Sequence, residues 1–168
     1  MDLDATIRDL APKVLGYCIL ETGDPSLAEE ISQDALTALV QRWRGLGPPD
    51  SPGAFVFAIS RRRCARAAVR RRLWLPIESA LGLLDGRRNP EQHALVSDGQ
   101  RRVARALARL RPADRHLLLL LTVGEMALGE AARSLGISPS AAKMRASRAR
   151  RRLRSALESE NGHGRTRS

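Results

Sequence analysis

Aromatic side chains are scarce: two Phe, two Trp and one Tyr make up 3% of 168 residues. A core must therefore be built from Leu, Ala, Val and Ile, and the abundance of Ala, Leu and Arg favours helix over strand. Cysteine is almost as rare. Cys18 and Cys64 fit neither a metal-ligand spacing nor a disulfide framework, which predicts two small core residues of a reduced, cytosolic protein. No apolar run approaches the ~20 residues of a membrane span, and the densest, Leu117–Leu121, is five leucines, so no membrane insertion is expected. The opening MDLDATIRDL carries no basic leader before an apolar run, which predicts no signal peptide. Catalytic constellations are missing as well. His93, His116 and His163 are scattered and no paired carboxylates face a basic cleft, so neither an enzyme nor a metal or cofactor is expected.

What the chain has in excess is positive charge. The formal net charge is +11, and of 29 basic residues only Lys13 and Lys143 are lysines. Such a balance points to a polyanion, either nucleic acid or an anionic membrane surface. A GC-rich genome also inflates arginine, so placement of the charge has to decide.

Periodicity divides the chain in two. Leu27, Ile31, Ala35 and Leu39 recur at helical spacing within residues 5–43, with Asp24 as a cap and Pro25 at the first helical position. The Gly/Pro-rich stretch 45–53 breaks that helix, and a second runs from Ala54 to about Arg72. Residues 75–98 hold Pro76, Gly82, Asp85-Gly86 and Asn89-Pro90 and read as a linker. A further helix begins near Gly99 with Val103, Ala106, Leu107 and Leu110 on one face, and Pro112 starts another. No strand pattern emerges. The expected fold is all-α: two small helical domains, 1–73 and 99–157, joined by a flexible linker 74–98 and followed by a disordered tail 158–168.

Residues 128–157 carry the sharpest local signal. Leu128, Ala131, Ala132 and Leu135 form a short helix closed by Gly136, Ile137 fills the angle, Ser138 caps the next helix and Pro139 opens it. This is helix-turn-helix chemistry, with Ala132 and Ala142 at the facing positions. The second helix has seven basic residues and no acid over 139–155, suited to a major groove, with Ser140, Ala141, Lys143, Met144 and Ser147 nearest the base edges. A basic membrane-surface helix would need bulky apolar residues opposite the arginines, and this one offers Ala142, Ala146 and Ala149.

Two other helices contrast in charge. Between Lys13 and Arg42 there is no base and five acids stand: Glu21, Asp24, Glu29, Glu30 and Asp34. Glu30, Gln33, Asp34, Thr37 and Gln41 form a polar stripe, either a solvated face or a surface that repels DNA and suits a basic protein. Residues 59–72 reverse this, with seven arginines and no acid. Phe55 and Phe57 precede them, either as core or as stacking platforms for melted DNA.

In their order, these segments resemble the extracytoplasmic-function group of bacterial sigma-70-family factors. DPSLAEEISQDAL is similar to the polymerase-binding segment of that family, with Gln33-Asp34 at the usual Gln-Glu and Leu36 in place of an aromatic. AFVFAISRRR resembles the family's Ala-Trp-Leu-Tyr-x-Ile-Ala-Arg-Asn, with Arg62 where Asn is usual. NPEQHAL resembles the end of the linker, and LRPADRHLLLL with the helix-turn-helix resembles the sigma-4 domain, with Ala141-Ala142 for Thr-Val. The resemblance implies a cytoplasmic initiation factor that binds core RNA polymerase, through the β′ clamp helices and the β subunit, and promoter DNA. By this likeness Glu29, Glu30, Gln33, Asp34, Thr37 and Gln41 meet polymerase. Phe55, Phe57, Arg61, Arg62, Arg63, Arg66 and Arg70 meet the −10 element. Ser138, Ser140, Ala141, Lys143, Met144, Arg145, Ser147, Arg148 and Arg151 meet the −35 element. An anti-sigma factor is a further candidate partner. The alternative is a helix-turn-helix regulator that acts without polymerase, which predicts specific duplex binding by the isolated protein.

Overall fold

The computed structural model describes residues 2–74 and 98–163. Seven helices run through them: α1 Leu3–Thr22, α2 Pro25–Leu46, α3 Pro52–Trp74, α4 Asp98–Ala108, α5 Pro112–Thr122, α6 Leu128–Ser134 and α7 Pro139–His163. No strand occurs among the described residues. The linker expected at 74–98 lies almost wholly outside them. Helix α7 continues to His163, beyond the boundary expected at Glu158, because its i to i−4 ladder meets neither Pro nor Gly before Gly162.

Local chemistry sets the helix ends. Asp2 caps α1 by accepting from the Ala5 N–H at 3.0 Å, and Gly23 closes it in the left-handed region at φ 65°. Asp24 caps α2 by accepting from the Leu27 N–H at 3.2 Å, with Pro25 in the first turn as expected. The next break is tighter than the composition of 45–53 suggests. Gly47 stands at φ 79°, its carbonyl accepts from Arg42 Nη1 at 2.6 Å, and Ser51 caps α3 through the Ala54 N–H at 3.1 Å.

The N-terminal three helices pack on one another, and α4 to α7 form a second group. In the first group Leu10, Val14, Ala28, Ile31, Ala35, Leu39 and Val56 are buried. In the second Ala106, Leu107, Leu110, Leu117–Leu120, Ala131, Ala132, Ala142, Ala146 and Ala149 are buried. Cys18 on α1 and Cys64 on α3 lie inside the first group, both buried and free. The two groups meet along a seam, so one apolar cluster runs through both.

That seam is polar at its centre. The Tyr17 hydroxyl lies 2.7 Å from His116 Nδ1, both groups buried, and Arg115 grips Glu21 with Nη2–Oε2 and Nε–Oε2 distances of 2.9 and 3.0 Å. Lys13 Nζ reaches Glu125 at 2.9 Å and the Ser51 hydroxyl donates to Glu130. Phe57 packs edge-on against Tyr17 with centroids 5.4 Å apart. Its ring also rests on Gly124, where a Cβ would stand 3.0 Å from the Phe57 edge and 2.7 Å from the Leu120 carbonyl.

Candidate nucleic-acid interface

The turn between α6 and α7 is built from the bonds its sequence promises. Gly136 takes φ 65°, and the Ile137 N–H returns to the Ala132 carbonyl at 3.0 Å, the six-to-one bond that closes a helix on a left-handed residue. Ile137 packs against the core, and the Ser138 hydroxyl accepts from the Ala141 N–H at 3.1 Å while also contacting the Ser140 hydroxyl at 3.1 Å. Pro139 opens α7, where its missing N–H costs no bond.

Helix α7 is mounted on methyl groups. Ala132, Ala142 and Ala149 are fully buried and Ala146 nearly so. Side chains this small let the helix axes approach closely and leave the opposite face outward. Ser140, Lys143, Met144, Ser147, Arg148, Arg151 and Arg154 are exposed on it. Arg145 departs from the expected DNA-facing set: it is partly buried on a flank, its Nε 3.7 Å from Asp114 Oδ1. Asp114 Oδ2 also holds Arg152 Nη1 at 3.2 Å, so one half-hidden carboxylate on α5 draws two arginines of α7 sideways. Ser138 is exposed, with its hydroxyl committed to the cap.

Helix α3 presents Arg62, Arg66 and Arg70 along one exposed line, opposite the buried Phe57, Ser60 and Cys64. Arg61 is exposed yet close enough to the seam for its charge to act on His116 and Glu21. The expectation for Phe57 has to be corrected. At 1% exposure, wedged between Tyr17 and Gly124, its ring has no face available to a base. Phe55 is partly buried against the same core.

The acids of the N-terminal half separate by role. Glu21 and Asp24 are structural, one in the seam and one at a cap. Glu29, Glu30, Gln33, Thr37 and Gln41 are exposed along α2. Asp34 is partly exposed and paired with Arg63 of α3, so the acidic and basic helices are joined at this point.

Electrostatics in the seam follow from burial. Desolvation, aided by the charges of Arg61 and Arg115, pushes His116 down to about 4, so it is neutral at pH 7 and its Nδ1 can accept the phenolic proton of Tyr17. Burial raises the Tyr17 phenol and the Glu21 carboxyl, the latter against the opposing pull of Arg115. This polar centre was invisible in the chain because its partners stand 94 and 99 positions apart. A lone His at the head of a leucine run was its one local sign.

No described helix is long and apolar enough to cross a membrane, and no described group of His, Cys, Asp or Glu could hold a metal ion. Comparison with known proteins agrees with this geometry. The family "Sigma-70 region 2" matches residues 6–74, and "Sigma-70, region 4" matches residues 100–153. The ECF RNA polymerase sigma factor ShbA of Streptomyces griseus subsp. griseus is 34% identical over 137 residues, 79% of this chain and 70% of that protein. The fold is shared with the sigma factor RpoE of Bartonella quintana, solved in complex with the anti-sigma factor NepR. The TM-score is 0.65 and the identity 22%, over 92% of this chain and 96% of that one. Helices α1–α3 therefore fall in one sigma region and α4–α7 in the other, and the chain belongs to the extracytoplasmic-function group of the sigma-70 family, the factors of transcription initiation.

Proposed function

We propose that this chain binds core RNA polymerase through α2 and directs it to promoters by reading the −10 element with α3 and the −35 element with α7. The observation that carries the reading is the segregation of charge. The exposed line of α7 and the Arg62–Arg66–Arg70 line of α3 are basic, whereas α2 exposes Glu29, Glu30 and Gln33. Exposed carboxylates repel phosphate, so α2 suits a basic protein surface such as the β′ clamp helices. The β subunit is a second contact by family likeness. With Phe57 buried, this reading assigns the −10 contacts to the arginine line of α3 and the 47–51 turn, with Phe55 beside them.

Run-off transcription with purified core polymerase and a genomic promoter library tests this reading. Initiation at a defined set of start sites supports it. Absence of initiation, together with failure to co-purify with core, overturns it. The docking surface is tested by Glu30→Arg with Gln33→Ala, which spares Asp34 because that residue also pairs with Arg63. Core binding should fall at least tenfold while the thermal unfolding midpoint is unchanged. An anti-sigma factor belongs to the proposal too, supported by RpoE having been solved with NepR.

A further inference from the structure

Three large apolar side chains are strongly exposed among the described residues: Leu46, Val69 and Met144. Met144, 64% exposed, is the one on α7. It does not stand at the edge of the basic face. Ser140, Met144, Ser147 and Arg151 follow one another at spacings of four, three and four, a line opposite the buried Ala142, Ala146 and Ala149. Asp114 holds Arg145 and Arg152 on the flank of α7.

We infer that Met144 reads a thymine in the upstream promoter element through its 5-methyl group. The inference rests on the reading of α7 as the major-groove helix. On the groove floor adenine, guanine and cytosine present hydrogen-bonding groups, and thymine alone adds an apolar one. A thioether donates no hydrogen bond and accepts only weakly. Set against an exocyclic amine or a guanine oxygen, Met144 would strip water from a polar group and return nothing. Set against the thymine methyl, it buries apolar surface on both sides, and its unbranched stem adapts to the position of the base. Ser140 and Ser147, one turn away on either side, are short enough to leave it in the lead.

The full chain with core polymerase is used to select duplexes randomised in the upstream element. Each thymine of the selected element is then replaced singly by deoxyuridine, which removes only the methyl. At one thymine this replacement should weaken promoter binding by about fourfold, the worth of one buried methyl-sized group. In Met144→Ala the ratio between thymine and uracil at that position should fall to about one. This ratio reads the methyl contact independently of overall activity, and alanine is the better helix former at an exposed helical position. A selected element without thymine, or with none whose methyl matters, overturns the assignment alone. Methyl sensitivity that persists undiminished in Met144→Ala overturns it as well. Selection of no upstream element overturns both this inference and the proposed function of α7.

Discussion

His116 is the residue on which pH acts most directly. Its folded pKa of about 4 lies below the ordinary 6.5, so the folded chain binds fewer protons than the unfolded one between those values. Stability is complete above pH 6.5 and is lost as pH falls toward 4, by about 3 kcal/mol for a shift of this size. Glu21 acts in the opposite direction, since a carboxyl raised by burial takes up its proton more readily when folded. The His116 contribution is therefore read as the difference between wild type and His116→Gln in chemical unfolding at pH 7.5 and pH 5, with the variant showing the flatter profile. Gly124 is the second sensitive residue. Gly124→Ala drives a methyl against a backbone oxygen at 2.7 Å and a buried ring at 3.0 Å, and should cost about 1–3 kcal/mol in unfolding free energy.

At the scale of the element, much of the helix-turn-helix was written in its sequence. Gly136, Ile137, Ser138, Pro139 and the alanine pair 132 and 142 act through neighbours in the chain, and each takes up the position its chemistry demands. Ser138→Ala should accordingly remove about 1 kcal/mol by leaving a first-turn N–H unmatched, measured as a lowered unfolding midpoint. The direction of each arginine was not legible, because it depends on Asp114, 31 and 38 positions away along the chain from Arg145 and Arg152. If α7 lies in the major groove as proposed, removing the exposed base at Arg148 or Arg151 should weaken DNA binding and reduce its salt slope by about one unit each. Arg152→Ala, tied to Asp114, should change the slope less. Equal slopes for all three would show that the Asp114 pairs give way on DNA.

At the scale of the whole molecule, α1–α3 and α4–α7 form the two expected groups, and the seam between them is what the sequence concealed. Phe57 shows the reason. An aromatic beside an arginine run looks the same in the chain whether it faces a nucleobase or a glycine 67 positions later. Burial of Tyr17, His116 and Phe57 across the seam makes one continuous apolar body, so calorimetry should give a single transition with equal calorimetric and van't Hoff enthalpies. Two resolved transitions would show that the halves unfold independently.

The alanine mount of α7 has a consequence for how such a protein can change over generations. Ala132, Ala142, Ala146 and Ala149 are already near the lower limit of side-chain size, so almost every substitution there is an enlargement that pushes two helices apart. On the proposed reading of α7, drift in promoter preference has little room to pass through the mount. It has to run along the exposed line, where Ser140, Met144 and Ser147 can be exchanged without moving the helix that carries them.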